Sequence, residues 1–167
     1  PIVVMGIDLQ LSSEGKGATI DGEHLSTLIT VQSGARLGLH NMTLANGNSS
    51  DMPRGAPGGG ALLLLGGSVE LAFCLICNSS STEGGGIFSS LGAADFYHCD
   101  IEGNNGTYYG GGICTYESRF NFTGCSIHRN EATINREIDC DLNEVTLNLG
   151  QGGGAYVGTG AVAFHDT

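Results

Sequence analysis

Apolar residues in this chain recur in short alternating runs separated by Gly- and Asn-rich turns, and the runs repeat at a fixed distance. Residues 84–109 read GGGIFSSLGAADFYHCDIEGNNGTYY, and residues 110–135 read GGGICTYESRFNFTGCSIHRNEATIN. Superposed, they match at Gly86/Gly112, Phe96/Phe122, Cys99/Cys125, Ile101/Ile127 and Asn104/Asn130, each pair 26 positions apart. A period of this size marks a solenoid, in which each repeat is one coil that buries its apolar side only by stacking on its neighbours.

Further copies open at Gly58-Gly59-Gly60-Ala61, with Leu71, Cys74 and Ile76, and at Gly152-Gly153-Gly154-Ala155, with Phe164. Leu39, Met42, Leu44 and Gly47 reproduce the spacing upstream, so the repeat runs from about Ile20 to the end. Before it, Ile2-Val3-Val4-Met5, Ile7 to Leu11 and Ala18 to Asp21 read as short strands.

Within a coil the parity of apolar positions assigns the faces. Cys99 and Ile101 are two apart and point the same way on a strand, with His98, Asp100 and Glu102 opposite. Met42/Leu44, Cys74/Ile76 and Cys125/Ile127 extend this pair into an inward column. Phe96 and Phe122 are out of phase with that column, so a corner must fall near His98 and Gly124. Three short strands per repeat then make a triangular coil. The expected fold is all-β, a right-handed parallel β-helix of five to six coils with a 25–26 residue period.

The chain divides accordingly into a single domain. Residues 1–57 are opening coils with a loop at 46–57, and residues 58–135 are regular coils. Residues 136–151 read as a degenerate coil without its Gly triplet, and residues 152–167 as a last partial coil. The degenerate coil rests on Ile138, Cys140 and Leu147, which fall 25 or 26 positions after Ile113, Cys114 and Phe122. A plain insertion of 16 residues between Gly112 and Gly154 is the competing reading.

Gly makes up 29 of the 167 residues, in phased triplets that suggest tight turning of the coils. Lys plus Arg number 6 against 17 Asp plus Glu, a net charge of −11. That balance argues against nucleic acid or an anionic membrane surface as partner. No run reaches the ~18 apolar residues of a membrane span. The absence of an initiating Met and the stop in mid-repeat suggest a piece of something longer.

Six cysteines permit full pairing, and Asn-X-Ser/Thr sequons begin at Asn41, Asn48, Asn78, Asn105 and Asn121. Together they point to a secreted or cell-surface glycoprotein. Cys114 and Cys140, one period apart and beside inward Ile113 and Ile138, are expected to face outward and stack as a disulfide. Cys74–Cys99 or Cys77–Cys99 is the next expected pair.

The succession Gly-Gly-Gly-Ile/Ala, aromatic, then Cys-x-Ile-x-x-Asn resembles the repeat of the polymorphic outer-membrane proteins, which are autotransporter adhesins. Their hallmark Gly-Gly-Ala/Ile is matched at Gly59-Gly60-Ala61, Gly85-Gly86-Ile87, Gly111-Gly112-Ile113 and Gly153-Gly154-Ala155. Their Phe-x-x-Asn appears as Ile101-Glu102-Gly103-Asn104 and Ile127-His128-Arg129-Asn130, with Ile for Phe. The resemblance covers most of the chain. It implies a right-handed β-helix at a cell surface, with motif residues that are structural.

Catalysis on this scaffold would need converging carboxylates about 5–9.5 Å apart. Asp95, Asp100, Glu102, Glu117, Asp139 and Asp141 are the candidates, and none forms an Asp-Asp pair. His24, His40, His98, His128 and His165 lack metal-ligand spacing, and no Gly triplet is followed by Gly-Lys-Ser/Thr. The expected function is a non-catalytic structural or adhesive module, with no cofactor and no metal. Its expected partners are surface or matrix proteins, glycans, or further copies along a filament. A polysaccharide lyase or hydrolase is the alternative.

Overall fold

The period fixes one strand register per coil, and a computed structural model shows how those registers stack. The structure describes residues 1–53 and 56–133, together with the strands Ala155–Val157 and Gly160–His165. The chain is a parallel β-solenoid with five complete coils and the first two strands of a sixth among the described residues.

The first side stacks Ile2–Val4, Ile29–Gln32, Leu62–Leu65, Ile87–Ser90, Ile113–Tyr116 and Ala155–Val157. The second stacks Asp8–Ser12, Arg36–His40, Ser68–Ala72, Ala93–Tyr97, Ser118–Thr123 and Gly160–His165. The third stacks Ala18–Asp21, Met42–Ala45, Leu75–Cys77, Asp100–Glu102 and Ser126–His128. The solenoid therefore begins at Ile2, two strands before Ile20 in the same coil. That first coil was hard to phase because it carries no Gly triplet.

A fourth, two-residue ladder was not expected. It runs through Asn48–Ser49, Ser80–Ser81, Asn105–Gly106 and Glu131–Ala132. Strands this short and polar have no hydrophobic period to betray them.

Inward columns follow the predicted parity. Leu39, Leu71, Phe96 and Phe122 are in register on the second side, and the Phe96 and Phe122 rings stack at 4.6 Å and 11°. Phe164 pairs in backbone register with Phe122. Leu44, Ile76, Ile101 and Ile127 form the third-side column and are buried.

The corner expected near His98 and Gly124 is a single residue in the left-handed region. His98 has φ 50° and Gly124 φ 61°, and Gly17, Asn41 and Phe73 occupy the same position in the other coils at φ 90°, 54° and 54°. One left-handed residue per rung turns the chain sharply while leaving the flanking strands in step.

The Gly triplets serve close approach more than turning. A Cβ on Gly85 would lie 2.2 Å from the Gly111 carbonyl oxygen, and one on Gly60 2.2 Å from that of Gly85. Backbone of one coil rests directly on backbone of the next, where a side chain has no room.

The next column explains the repeated Asn. Asn104 and Asn130 are buried, and Asn104 Nδ2 donates to the Ile76 carbonyl and to Asn130 Oδ1, both at 3.0 Å. Asn104 Oδ1 accepts from the Ser79 N–H at 3.0 Å, and Asn130 Nδ2 donates to the Ile101 carbonyl at 2.8 Å. Ser79 continues the column one coil down by accepting from the Gly47 N–H at 3.1 Å. These amides satisfy the turn backbone that the strands leave unpaired.

The expectation of a degenerate coil over residues 136–151 is corrected. Ile113 pairs with Ala155 and Cys114 with Tyr156, so the rung above Ile113–Tyr116 is Ala155–Val157 with no coil between them. The offset of 42 is therefore one period plus an insertion, as the competing reading has it. Residues 134–154 themselves lie outside the described residues.

Cys114, on the opposite strand face to the core residue Ile113, is covered where an exposed position was expected. It is fully buried with a free thiol, and its register partners are Phe88 and Tyr156. In the adjoining rung the residue in register with Cys114 is Tyr156, and Cys140 lies outside the described residues. Both faces of this strand are covered, because Phe88 and Tyr116 pack ring against ring at 5.7 Å across it.

Candidate functional surface

With the motif residues spent on holding the coils together, any function must use what faces outward. The acidic candidates among the described residues lie on two sides and at a corner of the coils. Asp95, on the second side, accepts from Asn121 Nδ2 at 2.6 Å. Glu102, on the third, lies 3.6 Å from His128 Nε2 and 3.7 Å from an Arg129 guanidinium nitrogen. Asp100 is exposed one strand position from Ile101, and Glu117 sits at a corner with φ 47°. Asp139 and Asp141 lie outside the described residues. Among the described residues no group of three or more His, Cys, Asp or Glu is placed to hold a metal ion.

The structure does bring together a feature that sequence reasoning treated as scattered surface residues. Phe73, 56% exposed, lies between two imidazoles from neighbouring rungs. His98 stacks on it at 5.3 Å and 16°, and His40 meets it edge-on at 5.5 Å and 68°. Phe73 occupies the left-handed corner where the equivalent residues are Gly17, Asn41, His98 and Gly124. A bulky residue there costs on the order of 1–2 kcal/mol. The strain holds an apolar ring in water, where burial returns nothing.

Beside this ridge runs an open groove of about 190 Å³, lined by Lys16, Asn41, Phe73, Cys74, His98 and Asp100. The available signal in the sequence was Phe73 immediately before Cys74, at the position where other coils place a turn residue.

The groove reaches the column of Cys74, Cys99 and Cys125. These residues directly precede Leu75, Asp100 and Ser126, which pair in register on three successive coils. Cys74 and Cys99 are buried and Cys125 is half-buried. Each thiol donates to the carbonyl two residues earlier, Ala72, Tyr97 and Thr123, at 3.3, 3.4 and 3.4 Å. Cys99 stands on the rung between Cys74 and Cys125, and its backbone N–H donates to Cys125 Sγ at 3.3 Å. The Cys99 side chain between them draws the Cys74 and Cys125 thiols below their ordinary range, each to about 7, and is itself pushed up.

The remaining thiols differ. Cys77 lies opposite Glu102 in register, not opposite Cys99, which removes the expected Cys77–Cys99 pair. Burial raises it, with Glu102 and Asp21 adding to the effect. Burial likewise pushes Cys114 up. All five described cysteines carry free thiols.

The sequon asparagines fall into two sets. Asn78 and Asn105 are exposed. Asn41, Asn48 and Asn121 are half-buried and use Nδ2 as a donor, to Ser13 O at 3.1 Å, His24 O at 3.0 Å and Asp95 Oδ1 at 2.6 Å.

No family model, no curated protein and no solved structure matches this chain.

Proposed function

We propose that this chain is a rigid structural and adhesive module of a secreted or cell-surface glycoprotein, non-catalytic, built on a repeat of the polymorphic outer-membrane protein kind. Its partners are surface or matrix proteins or glycans. The observation that carries this reading is the exposed Phe73 ridge: an aromatic ring kept at a strained corner, flanked by two imidazoles and bordered by an open groove with hydrogen-bonding groups. The repeated residues all serve coil-to-coil packing, which leaves the variable outward positions to make contacts. An apolar ring beside amide, carboxylate and ammonium groups suits partners that are themselves amphipathic, as sugars and peptide chains are.

The test is binding of secreted protein to arrays of matrix proteins and glycans, with Phe73→Gly beside the wild type. Gly relieves the corner, so the fold should survive, while binding should fall at least tenfold, the loss of one central aromatic anchor. Equal binding by both proteins would overturn the reading. Release of unsaturated or reducing products from an acidic polysaccharide would favour the carbohydrate-active alternative instead.

A further inference from the structure

Three thiols stand on three successive rungs of a column that Met42 fills in the coil below, with a solvent groove at one of them. Cys74 lines the groove, Cys99 lies in register behind it, and Cys125 in register behind Cys99. Adjacent parallel strands are ~4.8 Å apart, within the 4.4–6.8 Å separation of Cα atoms that a disulfide spans. The Cys99 backbone N–H donates to Cys125 Sγ at 3.3 Å, and Cys99 stands on the rung between Cys74 and Cys125. Cys99 is thus within reach of two partners, and can bond only one.

We propose that the Cys74–Cys99–Cys125 column is a thiol–disulfide exchange site that takes low-molecular-weight disulfides through the groove at Cys74. The Cys74 thiolate attacks one sulfur of the small disulfide, forming a mixed disulfide and releasing one small thiolate. Cys99 then attacks the Cys74 sulfur, forming the Cys74–Cys99 bond and releasing the second. The two protein thiols give up two protons and two electrons, and the small disulfide leaves as two thiols. Cys125 can next attack Cys99, moving the bond to Cys99–Cys125 and returning Cys74 to the thiol form with no net redox change. Cys77 and Cys114 stand outside the column and act as internal controls. The inference is independent of the surface-module reading, since it concerns the column alone.

The test is oxidation of the folded, reduced chain by oxidised glutathione, followed by acid quench and non-reducing peptide mapping. The expected product is one internal disulfide that always contains Cys99, joined to Cys74 or Cys125, with Cys77 and Cys114 free. Cys125→Ser should give only Cys74–Cys99, and Cys74→Ser should slow oxidation at least tenfold by removing the residue at the groove. Cys99→Ser should accumulate the mixed disulfide on Cys74. Far-UV spectra identify any variant that does not fold, and Cys125→Ser, at a half-buried position, keeps the test open if Cys99→Ser fails. A disulfide through Cys77 or Cys114, a stable mixed disulfide in the wild type, or no oxidation would overturn the proposal.

Discussion

Asn104→Ala probes the element that most distinguishes this solenoid from a stack of apolar strands. The Asn104 side chain makes three hydrogen bonds, to the Ile76 carbonyl, to Asn130 Oδ1 and from the Ser79 N–H, all at 3.0 Å and all buried. Alanine removes all three and leaves the Ser79 N–H without the acceptor it has here. At about 1 kcal/mol net for each of the two bonds Asn104 donates, plus 1–3 for the Ser79 N–H left stranded, the loss is about 3–5 kcal/mol. Total stability of a domain is about 5–15 kcal/mol, so this is a large share of it. For a chain of this length it corresponds to a fall in Tm of roughly 6–20 °C.

The neighbour Asn105 supplies the control. It is exposed, and its Oδ1 accepts only from the exposed Thr133 hydroxyl at 3.0 Å, so Asn105→Ala should change stability by less than about 0.5 kcal/mol. Asn104→Ser should fall between the two, because Ser79 fills the equivalent position one coil below with a single hydroxyl. Urea and thermal unfolding followed by circular dichroism measure all three. An Asn104→Ala variant within 1 kcal/mol of wild type, or indistinguishable from Asn105→Ala, would refute the assignment of the ladder as a stabilising element.

Gly85→Ala should abolish soluble folded protein, since its Cβ would fall 2.2 Å from Gly111 O and 2.4 Å from the Asn105 carbonyl carbon, both backbone atoms; a soluble variant melting within a few degrees of wild type would contradict the close-approach argument. Phe96→Ala removes a fully buried ring stacked at 4.6 Å on Phe122 and should cost about 3–5 kcal/mol in urea unfolding. In a secretory host, peptide mapping should find glycans at Asn78 and Asn105 at higher occupancy than at Asn41, Asn48 and Asn121, whose amide nitrogens already donate within the fold. Iodoacetamide should alkylate Cys74 from about pH 7 upward, because the Cys99 contact lowers that thiol and the thiolate fraction grows as pH rises through its pKa. Cys77, which is raised, should react only at higher pH, and a Cys74 profile coinciding with that of Cys77 would rule out the lowered thiol.

The sequence by itself determined the repeat, the strand parity and the inward columns. Phe96 over Phe122 and Ile101 over Ile127 could be read directly, because a coil that gains stability only by stacking must repeat its apolar residues at one offset. The corner at His98 and Gly124 was legible for the same reason, since a change of parity can only be made by a bend. Stacking beyond the regular copies was decided only in three dimensions. Whether residues after Thr133 formed a coil depended on which strand met Ile113, and the backbone register chose Ala155 over Ile138. Offsets alone did not distinguish them, because a few apolar matches at 25 or 26 arise easily in a strand-rich chain. Cys114 followed from that choice: it lies under Tyr156 in register and is covered on its outer face. The repeated Asn and Gly could be read along the chain, but not the hydrogen bonds and backbone contacts they make, nor the groove joining Phe73, His98 and Cys74. Each of these depends on how neighbouring coils meet.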